Sequence, residues 1–269
     1  MKFRGNSKST YSIIIFVCIV GFWLFENFYT PKDYSNNSLE TTTTFPAQLL
    51  PSSTTNAIVQ HTNYTLSYNE PYEQAEWVAY TLKKEHLTYD KRKRPYFIED
   101  PYVRTTSADW RNYKGSGFDR GHLCPAGDRK FSKEAYDETF YTSNISPQDR
   151  DFNAGIWNVL ENKVRLWAKK YTTVHVITGG ILEVGLRGIG TENVAVPNYF
   201  YKIIVRQQGD EMIAIAFLFP AQNKQKPLQS FAVPIDLLEE RTNIDFLEGM
   251  ALKDQTTLEK EVRLKDWQF

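Results

Sequence analysis

The chain has 269 residues, equal numbers of Lys+Arg and Asp+Glu, a hydrophobic fraction of 41% and an aromatic fraction of 14%. That is enough apolar material for one domain, or two small ones, and zero net charge excludes a protein that coats nucleic acid by bulk charge alone. The charge is unevenly placed: Lys83 to Lys133 holds 13 basic against 7 acidic residues, and Gln208 to Phe269 holds 7 against 11. The first stretch can build a polyanion site or simply a solvated charged face.

In chain order, Lys2, Arg4 and Lys8 precede the apolar run Tyr11–Phe25, "YSIIIFVCIVGFWLF". Fifteen helical residues span roughly 22 Å, short for a membrane span and also compatible with a signal-peptide core. No small-residue cleavage site follows, so residues 1–29 read as an uncleaved anchor, with a cleaved signal as the alternative. The basic flank would stay inside and place the remainder outside the cytoplasm. Residues 30–63, rich in Thr, Ser, Asn and Pro, read as a flexible tether. "NYT" at Asn63 is a glycosylation sequon where the chain meets that machinery.

A folded domain is expected over 64–269. Residues 76–82 alternate as a strand, and "TVHVITGG", "YFYKIIVRQQ" and "MIAIAFLF" are further strands, the last two joined by a hairpin at Gln208-Gly209-Asp210. Ser132 caps a short helix running to Phe140. Residues 153–170 form the longest predicted helix, with Ile156, Leu160, Val164 and Trp167 on its apolar face. "VPIDLLEERTNIDFL" is another helix. This order predicts an α+β fold rather than repeated βαβ units. Cys18 and Cys124 are not expected to meet, and the four histidines lack zinc-ligand spacing. His61 and His86 are expected to face solvent, and His175 to lie in a strand.

The chemistry concentrates in "FDRGHLCPAGDRKFS", Phe118 to Ser132, and "TSNISPQDRDFNAGIWNVLENKVRLWAKK", Thr142 to Lys170. Phosphodiester hydrolysis needs a base for water, a cation for the leaving oxygen and positive groups for the phosphate. His122 can be the base and Arg120 a planar phosphate clamp. Asn153 offers a hard oxygen suited to Mg²⁺, and Glu161 a carboxylate to order its waters. On a regular helix Glu161 and Arg165 fall about 80° and 120° around from Asn153. Each residue also has a plain reading: a hydrogen-bonded histidine, an N-cap asparagine, an i,i+4 ion pair.

Taken in order, "DRGH", then "SNISPQ", then "FNAGIWNVLE" resemble the DNA/RNA non-specific endonuclease family, the endonuclease G-like nucleases. The likeness runs from about Tyr68 to Leu247 and includes "EWVAYTL", "VPNYFYKIIV" and "VPIDLLEERTNIDF". It implies a ββα-metal fold with a central, mostly antiparallel sheet flanked by helices. It implies Mg²⁺-dependent cleavage of DNA and RNA, with Mn²⁺ able to substitute, 5′-phosphate products and often a homodimer. By motif, His122 resembles the general base, Arg120 an active-site phosphate support and Asn153 the single direct metal ligand. Glu161 resembles the carboxylate on the metal's waters, Asn144 a supporting amide, and Arg165 and Arg94 of "KRPYFIEDP" phosphate-binding arginines. Asp119 is expected to orient its loop, and Cys124 to be a buried inert thiol. The rival readings are a tethered nucleic-acid-binding module without cleavage and a phosphodiesterase for small or lipid diesters.

Overall fold

The structure is a computed structural model that describes residues 45–222 and 226–269. Seven strands form one sheet: β1 (Ile58–Gln60), β2 (Thr65–Asn69), β3 (Gln74–Lys83), β6 (Thr173–Gly180), β9 (Tyr199–Gln208), β10 (Glu211–Pro220) and β11 (Ala232–Val233). They lie in the order β1-β2-β3-β6-β9-β10-β11, every neighbour pair antiparallel. The mixed fold with a central antiparallel sheet is as expected. A second, two-stranded sheet joins β4 (Asp119–His122) to β5 (Ile145–Gln148), and a third joins β7 (Gly188–Ile189) to β8 (Val194–Ala195). The helices are α1 (Lys133–Glu138), α2 (Arg150–Phe152), α3 (Asn158–Tyr171), α4 (Ile235–Thr242) and α5 (Leu252–Lys260).

The central strands are apolar on both faces because both are covered. On one face Tyr80, Leu82, Val176 and Ile204 pack with Leu160, Val164 and Trp167 of α3. On the other, Trp77, Ala79, Ile203 and Val205 pack with Ile235 and Leu238 of α4 and Leu258 of α5. A third cluster, Phe97, Tyr113, Tyr136, Phe140 and Ile145, lies under the β4–β5 hairpin.

Two expectations change. Residues 45–63 are not tether: Phe45 and Leu49 are buried in the second core, Trp77 Nε1 donates to Ser52 O at 2.8 Å, and Ile58–Gln60 pairs with β2. The apolar residues there are too widely spaced to show a period, yet each finds a socket. The expected anchor, 1–29, and the rest of the expected tether, 30–44, lie outside the described residues.

His61 and His86 do not face solvent. His61 Nε2 meets Asp100 Oδ2 at 2.9 Å with its side chain fully covered, and His86 stacks on Phe131 at 4.1 Å. Burial lowers His86 and His175 from 6.5 to about 4, Arg129 adding to the effect at His86. The unfolded chain takes up these protons near pH 6.5 and the folded chain only near 4, so their contribution to stability is complete above 6.5 and lost as pH falls toward 4. The contribution of these two histidines to the melting temperature is expected to be flat above about pH 7 and to fall down to about pH 4.5. His175→Gln, which keeps a partner for Thr81 Oγ1, should remove part of that slope in a pH series of thermal melts.

Candidate active site

The β4–β5 hairpin sets the site. Asp119, Arg120, Gly121 and His122 pair with Gln148, Pro147, Ser146 and Ile145. Strand alternation sends Arg120 and His122 to one face and Asp119 and Gly121 to the other. Gly121 is required: a Cβ there would overlap the Gln148 side chain, which is fully buried and cannot swing out. Gly121→Ala should cost about 1–3 kcal/mol and lower the melting temperature. Adding Gln148→Ala should restore much of the loss, and a double variant no more stable than Gly121→Ala would refute the packing account.

On the Arg120/His122 face, three side chains converge on two rings. The His122 ring lies 5.6 Å from Phe97 and 5.0 Å, edge-on, from Phe140. Arg94 Cζ sits 5.2 Å over Phe97 and 5.5 Å over Phe140, and Arg120 Cζ 4.7 Å over Phe97. Of the four consecutive basic residues 91–94, Arg94 is the one on these rings, whereas Arg92 donates to Lys130 O at 2.8 Å and pairs with Asp90. His122 is half-buried, not an exposed side chain, and its Nε2 is enclosed without a hydrogen-bond partner. Burial, then the Arg94 charge, push it down to about 3. The imidazole is therefore neutral at physiological pH and has a lone pair to offer.

Asn144 splints the chain beyond His122. It is fully buried, accepts from Cys124 N at 2.8 Å and donates to Cys124 O at 3.0 Å and Thr139 O at 2.9 Å. Its amide is used up by these bonds, so it positions rather than reacts. Cys124 is buried, and burial pushes its thiol up to about 11.

Asn153 is not a helix N-cap. Asp149 caps α2, accepting from Phe152 N at 2.9 Å, and Asn153 follows one turn later. Asn153 Nδ2 donates to Asp119 Oδ2 at 3.3 Å, so the acid of the hairpin orients the amide of the helix. From Asn153 to Trp157 the helix widens into a π turn, and Gly155 leaves helical dihedrals (φ −94°, ψ −115°) before α3 begins. The regular-helix count of 80° and 120° therefore does not apply across this joint.

Glu161 and Arg165 sit on α3. Their Oε2 and Nη2 are 3.4 Å apart, and Arg165 Nε reaches the fully buried Asp128 at 2.5 Å. Tyr80 OH also donates to Asp128, at 3.3 Å. Gly127 leaves room for the guanidinium, since a Cβ would lie 2.9 Å from Nη2. Burial pushes Glu161 up to about 7 against the opposing pull of Lys202 and Arg165. Lys202 is wholly buried, with Nζ donating to Thr178 Oγ1 at 3.0 Å and lying 4.5 Å from the Trp157 ring centre. Burial pushes it down to about 8. Sequence reasoning missed Lys202, although a lysine inside the apolar run "YFYKIIV" was a signal, and it missed Asp128 and Phe97. In sum, Arg94, Arg120 and His122 meet around Phe97, Asp119 ties that strand to Asn153, and Glu161 and Arg165 form a linked pair on Asp128.

Residues 42–253 match the family model described as DNA/RNA non-specific endonuclease. The chain is 36% identical over 219 residues to "Nuclease EXOG, mitochondrial" of Danio rerio, covering 74% of this chain and 64% of that protein. It is 35% identical over 203 residues to "Endonuclease G, mitochondrial" of Homo sapiens, covering 69% and 67%. The chain thus spans just under two thirds of the length of the first of these relatives. A crystal structure of an EndoG/EndoGI complex superposes with a TM-score of 0.67 at 31% identity, over 73% of this chain and 88% of that one.

These relatives overturn the expected membrane-anchored placement outside the cytoplasm: both are named as mitochondrial proteins. Among the described residues no helix is long and apolar enough to cross a membrane. The run 11–25 lies outside those residues.

Proposed function

We propose, because this chain belongs to the DNA/RNA non-specific endonuclease family, that it is a metal-dependent endonuclease hydrolysing the phosphodiester bonds of DNA and RNA without regard to sequence. The observation that carries the reading is the pairing on one strand: His122, with its enclosed Nε2 and its ring beside the Phe97 ring that Arg94 and Arg120 also face, and Asp119, which holds the Asn153 amide. A nucleic-acid-binding module needs the arginines but neither the base nor the oriented amide. The hairpin and the helix after it are read as a ββα-metal motif, and the catalytic domain as residues 45–269.

The residues fit a hard divalent ion. Asn153 commits its Nδ2 to Asp119, leaving its carbonyl oxygen as the free end. The Asp119 and Glu161 carboxylates can accept hydrogen bonds from metal-bound water, which suits Mg²⁺, or Mn²⁺ in its place. When bound, the ion supplies charge stabilisation at the leaving 3′ oxygen.

The protein's own groups do the rest. Arg94 and Arg120 hold the non-bridging oxygens, and Arg165 stands further along, shared with Asp128 and Glu161. Arrival of the anionic diester beside Arg94 offsets one of the two causes that depress His122, so its basicity rises when substrate is in place. His122 takes the proton of a water whose oxygen bonds to phosphorus, and the P–O3′ bond breaks opposite. A 5′-phosphate and, after protonation by solvent, a 3′-hydroxyl result. Backbone contacts carry little base information, so selection between sequences is weak.

Nicking of supercoiled plasmid and cleavage of a structured RNA, with Mg²⁺ and then with EDTA, test the reading. Metal-dependent cleavage of both is expected, and nucleic-acid binding without cleavage in any divalent ion would overturn it. A small chromogenic diester turned over faster than DNA would favour the phosphodiesterase reading instead. Family resemblance also supports a homodimer, checked by light scattering, and the relatives' names support a mitochondrial location, checked by fractionation.

A further inference from the structure

On the face of the sheet opposite α3, helices α4 and α5 bring three carboxylates together. Oxygen atoms of Asp236, Glu239 and Glu259 lie within 4.8 Å of one another. Asp236 and Glu239 are three residues apart on α4, so they share one helix face, and Glu259 comes from the last turn of α5. Among the described residues no lysine, arginine or histidine forms an ion pair with any of the three. Glu259 is 6% exposed, and its Oε1 is enclosed with no hydrogen-bond partner. Glu239 Oε1 accepts from Phe246 N at 2.9 Å, which fixes that carboxylate in place.

We infer that Asp236, Glu239 and Glu259 form a structural site for a hard divalent cation, separate from the catalytic centre, that fastens α5 to α4. The chemistry of the set is all carboxylate oxygen, which selects Ca²⁺, Mg²⁺ or Mn²⁺ over zinc. Asp236 and Glu239 are half-buried, so the ion keeps waters on its open side, as Ca²⁺ with its six to eight oxygen ligands requires. Without a cation the cluster is costly. Three acids meet in a partly desolvated cleft, with Glu259 almost wholly covered. A divalent ion removes that repulsion and satisfies the orphaned Oε1. Separation from the catalytic centre follows from the layers: Leu238 and Leu258 beside the cluster belong to one core, and Leu160 and Val164 of α3 to the other.

The test uses Ca²⁺ alone as the probe and the full chain carrying Asn153→Ala, so that the proposed catalytic ligand is absent. After chelator stripping, Ca²⁺ is titrated at about pH 8 by calorimetry and by thermal melting. One Ca²⁺ per chain is expected, with the melting temperature rising by roughly 5 °C or more at a hundredfold excess over Kd. Glu259→Gln should weaken binding at least about tenfold. If that variant fails to fold, Asp236→Asn, at a half-buried position, serves in its place. No heat and no shift up to roughly 10 mM, beyond the weakest class of protein Ca²⁺ sites, would show that Glu239 and Glu259 share a proton instead and would overturn the site. So would an unchanged Kd in Asp236→Asn. Neither result depends on cleavage, so a failure here is distinct from a failure of the nuclease reading.

Discussion

His122→Ala is expected to lower the rate of plasmid cleavage by about three orders of magnitude, within the range that loss of a positioned base produces. The imidazole is neutral at working pH and packs on the Phe97 and Phe140 rings, with Arg94 and Arg120 also on Phe97. Removing it deletes the proton acceptor and leaves both arginines. Binding of DNA in EDTA, followed by fluorescence anisotropy, should change little. Because the ring packs on Phe97 and Phe140, a modest fall in melting temperature is also expected, which a solvent-exposed base would not show. A variant that keeps a tenth of the wild-type rate would sink the assignment of His122.

Asn153→Ala should raise the Mg²⁺ concentration needed for half-maximal cleavage by roughly ten- to a hundredfold, with affinity for DNA in EDTA unchanged. The amide oxygen is the proposed direct protein contact to the ion, and Asp119 holds it in place through Nδ2 at 3.3 Å. Asp119→Ala should shift the same titration less, because it removes the orientation but not the oxygen. An unshifted Mg²⁺ curve for Asn153→Ala would move the ligand elsewhere. A loss of DNA affinity in EDTA would make Asn153 a substrate contact.

The long strands were legible because β3, β9 and β10, each ten residues long, are dominated by apolar and β-branched residues, and burial on both faces leaves such stretches conspicuous. The hairpin that carries the site was not. "DRGH" and "ISPQ" contain glycine, proline and charge, and only the pairing of Asp119–His122 with Ile145–Gln148 makes them strands. β2, "TLSYN", is too short and polar to stand out, and Phe45 and Leu49 are single apolar residues whose sockets exist only after the sheet has formed. His61 and His86 sit among polar neighbours in the chain but against Tyr64 and Phe131 in space. The residues named from motif order fall in separate clusters, whereas the partners that orient them, Asp119 on Asn153 and Asp128 on Arg165, depend on contacts between segments 34 and 37 positions apart. No local pattern encodes such a contact.

The wide turn at Asn153–Trp157 sets a phase. Upstream, Asp149 and Asp119 dictate which way Asn153 points. Downstream, the core dictates the rotation of α3 through Leu160, Val164 and Trp167. A regular helix has one angular setting and could not obey both. The π turn works as a splice between two rods, letting each be clocked independently. In a regular helix one residue more or less turns one rod against the other by about 100°, and that is the step a wide turn takes up.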